Sequence, residues 1–233
     1  GELRASSGSG QVEARLGLFV IAAGVMLFHL ARRPGHWEAY VLVGLLAGFF
    51  AGSKYTGLIF AAAVGCALMI ATRGQRLASV LRLLVVYSLA VLLSGGQRYA
   101  WNFIHTGDPL FPIFYRWLGS PVSEYWSIDH DTYFRESLAA RSEVIGGFMS
   151  KLLFPWMATF DPPRELDSGR VGLGPFLMLI GPLAIWHVAT RFRDALRNPL
   201  LIIFVAALLY YGLWLVFGGI PKVRHLSPII GLV

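Results

Sequence analysis

Between Ala39 and Ile70 the chain runs for about 32 residues with a single charged side chain, Lys54. As one helix this run would measure about 48 Å, against about 30 Å for the hydrocarbon core of a bilayer. It must therefore turn back on itself. The reversal costs least at Gly52, Ser53 and Lys54, where small residues permit a turn and the lysine can reach the interface. At the bilayer centre a lysine would cost about 2.5–3.5 kcal/mol on insertion scales. The pattern predicts two short helices, Ala39 to Gly52 and Thr56 to Ala71.

Other apolar runs flank this hairpin. Val12 to Ala31 ends at Arg32, Arg33 and Pro34; Leu77 to Ser94 carries Arg82 in its first turns and stops at Gly95 and Gly96; Val171 to Thr190 and Leu200 to Phe217 enclose Arg191, Arg193 and Arg197. Apolar residues make up 56% of the chain and charged ones 14%, where a soluble domain carries about 25% charged. Such a surface cannot be solvated. The expected fold class is therefore all-α, a polytopic integral membrane helical bundle of about six spans. It forms a single transmembrane domain over residues 1–233, with 97–170 as a loop within it. If the helices alternate in direction, the arginine clusters share one side, which the positive-inside rule makes cytoplasmic. The amino terminus, Lys54, the 97–170 loop and the stretch Gly218 to Arg224 then face outward. The net charge of +7 lies in these clusters rather than along one polar face, so no nucleic-acid partner is expected. Cys66 is the only cysteine and sits inside an apolar run, as a packing residue does.

The long loop is rich in tryptophan, tyrosine and phenylalanine. Its apolar stretch Val144 to Phe160 contains Lys151 and Pro155 and reads as an interfacial helix rather than a span. Pro228 to Val233 begins another apolar run, and the chain is expected to be truncated at both ends.

Four features fall on the outward face: Glu13, Lys54 with Tyr55, the string WNFIHTGDPLFP from Trp101 to Pro112, and KVRHLSP from Lys222 to Pro228. Together they resemble the lipid-linked glycosyltransferases of the GT-C fold, a family that includes the protein O-mannosyltransferases and the aminoarabinose transferases. The shared pattern is a glycine-rich helix ending in GSKYTG, an Asn-aromatic-x-x-Thr-Gly-x-Pro string after a later helix, and an Arg-His-Leu-x-Pro string opening a last helix. The resemblance implies a polyprenyl-phosphate sugar donor and an acceptor hydroxyl on a lipid, glycan or protein. It also implies an active site facing outward from a bacterial cell membrane. Glu13 matches a catalytic acidic position, while the family's main general base would precede residue 1. Lys54, Tyr55, Arg224 and His225 would bind the donor phosphate, with Asn102, His105 and Asp108 as loop candidates. No cofactor is implied.

Each feature also has a structural reading. Glu13 can favour a helix N-terminus after a Ser9 or Gly10 cap, Lys54 can snorkel, and Thr106 to Pro109 has the composition of a turn. Asp129, His130 and Asp131 suggest a divalent metal, but adjacent loop residues rarely face one centre and the spacing matches no standard site. A membrane transporter, a polysaccharide polymerase or ligase using the same donor, and a non-catalytic scaffold are the alternative functions. The 97–170 loop is unusual for a carrier.

Overall fold

In the computed structural model the described residues are 13–33, 35–119, 126–143, 148–160, 181–183, 185–186, 189–190, 198–217, 223–226, 228 and 232. Among them every regular element is helical. Helix α1 is Glu13–Arg32, α2 Trp37–Ser53, α3 Thr56–Ala71 and α4 Leu77–Thr106. Short helices follow at α5 Tyr115–Leu118, α6 Ile128–Glu143, α7 Phe148–Leu152 and α8 Phe154–Phe160. Then come α9 Leu200–Phe217 and α10 Val223–Leu226. Among the described residues three stretches, Arg15–Arg32, Leu77–Thr106 and Leu200–Phe217, are long and apolar enough to cross a membrane.

The reversal of the long apolar run falls at Lys54 and Tyr55, between α2 and α3. Tyr40, Val43, Ala47 and Phe50 of α2 and Phe60, Ala63, Val64 and Leu68 of α3 are fully enclosed. Side by side, α4, α2, α3 and α9 form a layer, and α1 lies across α2 and α9. Phe19 of α1 stacks on Phe49 of α2 with centroids 5.5 Å apart, and Phe60 of α3 meets Tyr210 of α9 edge-on.

Helices α2 and α4 run parallel, and glycines set their separation. Gly44 faces Ala90 and the Tyr87 carbonyl, Gly48 faces Val91 and Ser94, and Gly52 faces Gly95. A Cβ at Gly44 would lie 2.6 Å from the Tyr87 carbonyl oxygen, and one at Gly48 would lie 2.9 Å from the Val91 Cα. This is the small-residue spacing that lets membrane helices approach backbone to backbone. The approach permits Ser94 Oγ to donate to the Leu45 carbonyl across the interface at 2.9 Å. Tyr87 ties α4 to α3 by donating to the Ala61 carbonyl at 2.7 Å.

Two expectations change here. Gly95 and Gly96 do not end the fourth helix, which continues to Thr106 for 30 residues. Gly95 is retained because its missing side chain is filled by the α2 backbone, and packing outweighs the helix-propensity cost of about 1 kcal/mol. The segment expected as loop from residue 97 thus begins with ten more helical residues and carries four further helices, α5 to α8. The expected interfacial helix Val144 to Phe160 is divided, where described, into α7 and α8. Most of the expected span Val171 to Thr190 lies outside the described residues.

Candidate functional site

The turn between α2 and α3 is built to end one helix and start the next in almost no space. The last carbonyls of a helix lack intrahelical donors, and here each of the last four in α2 has one. Lys54 N–H bonds the Phe50 carbonyl at 3.0 Å. Tyr99 of α4 donates its hydroxyl to the Ala51 carbonyl at 2.6 Å. Arg98 donates Nη1 to the Ser53 carbonyl at 2.7 Å and reaches Gly52 at 3.5 Å. A guanidinium at this negative end of the helix dipole is favourable. The same group lies 4.5 Å over the Tyr55 ring, a cation–π contact. Gly57 completes the turn, since a Cβ there would overlap the backbone of Phe50 and Ala51. The two glycines and the serine of GSKYTG are thereby explained: Gly52 meets Gly95, Ser53 and Gly52 present carbonyls to Arg98, and Gly57 lets α3 start against α2.

The Trp101 to Pro112 string closes over this turn. Gly107 takes φ +74°, the left-handed conformation that stops α4. Beyond it the Asp108 carboxylate, fully buried, accepts the N–H of Leu110 at 2.8 Å and that of Phe114 at 2.9 Å. These bonds fold 109–114 back onto the helix. Asn102 Nδ2 donates to the Pro109 carbonyl at 3.2 Å and to the Tyr55 hydroxyl at 3.1 Å, and Tyr55 donates to the Phe111 carbonyl. Asn102 and Tyr55 therefore meet, and Asp108 holds the loop that joins them. His105 does not join this group: its ring stacks on Trp101 with centroids 3.9 Å apart and Nδ1 faces the Trp101 carbonyl on the exposed side of α4.

The carboxy-terminal string comes to the same end of the bundle. Tyr210 of α9 donates its hydroxyl to the His225 carbonyl at 2.7 Å, and its ring meets Phe60 of α3 edge-on with centroids 6.3 Å apart. One tyrosine thus links the first turns of α3 to the turn carrying Arg224 and His225. The side chains of Glu13 and Arg224 lie outside the described part of the structure, as does Lys222. Glu13 is the first described residue of α1.

Arg98 and Tyr210 were not singled out in the sequence. Arg98 was legible as the residue one helical turn before Asn102, had α4 been carried past Gly96. Tyr210 sits in a uniformly apolar run and offered no signal.

Within the outer segment, Asp131 accepts Arg116 Nε at 2.6 Å and Arg135 Nε at 2.8 Å on one carboxylate oxygen. Arg135, and then Arg116, hold this buried carboxyl below the usual carboxylate range against the opposing effect of burial. His130 Nδ1 faces the Ser127 hydroxyl at 3.0 Å. The three adjacent residues Asp129, His130 and Asp131 thus occupy the first turn of α6 rather than a loop. Among the described residues no group of three His, Cys, Asp or Glu side chains is placed to hold a metal ion. Comparison with protein-family models, curated proteins and solved structures gives no match.

Proposed function

We propose that the chain belongs to a membrane-embedded glycosyltransferase that takes a sugar from a polyprenyl-phosphate donor and passes it to an acceptor hydroxyl at the outer membrane face. The observation that carries this reading is the junction at one end of the helical layer. The Lys54–Tyr55 turn, Arg98 and the Arg224–His225 turn converge there, the last through Tyr210, whose ring meets Phe60 of α3 and whose hydroxyl bonds the His225 carbonyl. In this reading the bundle has about six spans, with the hairpin α2–α3 reaching the outer interface.

A lipid-linked sugar presents its phosphate at the interface while its tail stays in hydrocarbon. Cations beside low-dielectric lipid attract that phosphate more strongly than cations in water do. Lys54 supplies a compact charge and Arg224 a planar fork that can grip two oxygens. Both favour departure of the phosphate as the acceptor oxygen bonds to the anomeric carbon and the carbon–phosphate-oxygen bond breaks. The acceptor proton passes to a carboxylate; Glu13, at the start of α1, is the acidic residue assigned to the acceptor side. A single displacement inverts the anomeric centre. Arg98, Tyr55, Asn102 and Asp108 act as positioning residues in this scheme, because their polar atoms are engaged in holding the turn. His225 orients the last turn through its carbonyl.

In the full-length protein, Lys54→Ala and Arg224→Ala should each reduce transfer from a polyprenyl-phosphate sugar by at least about tenfold with normal membrane insertion, as expected for loss of one charge-assisted contact. Arg224→Lys should restore part of it. Unchanged transfer in both alanine variants would overturn the assignment.

A further inference from the structure

We propose that Arg116 and Arg135 form a docking site for the phosphodiester of an anionic membrane lipid, seating the segment after α4 on the membrane surface. This site is separate from the α2–α3 junction and does not depend on the glycosyl-transfer reading.

Both arginines converge on a single oxygen, Asp131 Oδ2, each through Nε. Their Nη2 groups are also engaged, on Thr132 Oγ1 at 3.2 Å and on the Ile113 carbonyl at 3.3 Å. The Nη1 group of each has no partner among the described residues. One carboxylate thus holds two guanidiniums side by side, neutralises one charge, and leaves a net positive charge with four N–H donors already oriented. Such a pair suits a phosphate, whose oxygens accept two parallel N–H bonds, and little side-chain entropy remains to be lost. The acidic side chains Asp129 and Glu136 project from the other flank of α6, about 100–120° around the helix from Arg135.

The surroundings select the occupant. Trp117 lies 5.9 Å beneath the Arg135 guanidinium and is 71% exposed, with Leu118 at 53% and Ile113 at 40% beside it. A soluble anion offers such a surface nothing, whereas a lipid presents a phosphate and acyl chain together, as an aromatic and basic interfacial patch requires. Depth agrees. Helix α4 has 30 residues, about 45 Å, close to the 40–45 Å of a bilayer including its headgroups. The chain therefore leaves α4 at headgroup level, and Arg116 follows within a dozen residues.

The test uses the full-length protein in nanodiscs containing lipids brominated near the top of the acyl chain. The Trp117 contribution is the quenching lost in Trp117→Phe. With phosphatidylglycerol local lipid occupancy should exceed that with phosphatidylcholine at equal mole fraction by more than the about fivefold that one net basic charge alone gives at an anionic surface. Millimolar inorganic phosphate should not abolish it. In Arg116→Lys/Arg135→Lys, where charge and pairing with Asp131 can persist but the fork is lost, the preference should fall. Equal quenching by the two lipids in the unmodified protein, or none assignable to Trp117, would overturn the proposal. Removal of the preference by inorganic phosphate would also overturn it, indicating a site for a soluble anion.

Discussion

Gly95 and Gly96 are neighbours in one helix, yet alanine should act on them in opposite directions. A methyl group at Gly95 would overlap the Gly48 carbonyl oxygen and lie 3.1 Å from the Gly48 carbonyl carbon and 3.2 Å from Gly52 N. All three are backbone atoms of α2, so no rotamer change can make room and the helices must part. Overpacking of this kind costs about 1–3 kcal/mol. Separation also stretches the 2.9 Å bond from Ser94 to Leu45 and the 2.7 Å bond from Arg98 to Ser53, each worth about 0.5–1.5 kcal/mol, or more for the charged donor. Against this stands the gain in helix propensity from glycine to alanine, about 0.8–1.0 kcal/mol. Net destabilisation of about 1–2 kcal/mol is expected. At Gly96 nothing lies within 4 Å of an added Cβ, so the propensity gain stands nearly alone. Thermal unfolding of the two variants in the same nanodiscs, followed by tryptophan fluorescence, should give shifts of opposite sign. At about 2–4 °C per kcal/mol for a chain of this size, their midpoints should differ by roughly 4–12 °C. If Gly95→Ala unfolds at or above the temperature of Gly96→Ala, the backbone contact between α2 and α4 is not as described.

Asp108→Ala should release the loop 109–114, because the part-buried N–H groups of Leu110 and Phe114 lose their acceptor at about 1 kcal/mol each; faster amide exchange at those residues, with α2–α3 still protected, would confirm it. Asp131 titrates below its ordinary value, so its unfolded form binds protons more readily and its stabilisation is fully present above about pH 4 and lost as pH falls through the depressed value. Trp126 emission, which reports packing beside Phe111 and Phe134, should therefore change in acid, and Asp131→Asn should flatten that response. Cysteines at Gly74 and Ser123 in a Cys66-free background should label from opposite sides of the membrane; labelling from one side would overturn the orientation on which the outward-facing site rests.

Length and polarity were enough to place the reversal at Lys54, because 32 apolar residues cannot cross about 30 Å once and a lone lysine must reach an interface. The turn at Gly107 and Asp108 was legible for a similar local reason, since Thr-Gly-Asp-Pro carries its own turn chemistry. The end of α4 was not. Glycines read as helix breakers at Gly95 and Gly96, but Gly95 serves the close approach to α2, and that neighbour is more than forty residues away in the chain. The same holds at the candidate site. Lys54, Tyr55, Asn102 and the Arg224–His225 string could be noted one by one, whereas their convergence depends on Arg98 reaching the end of α2 and Tyr210 joining Phe60 of α3 to His225. Hydrophobic length and turn composition are written in consecutive residues and can be read there. Which carbonyl an arginine caps, and which distant segments one tyrosine brings together, depend on helix packing, and only the tertiary structure decides them.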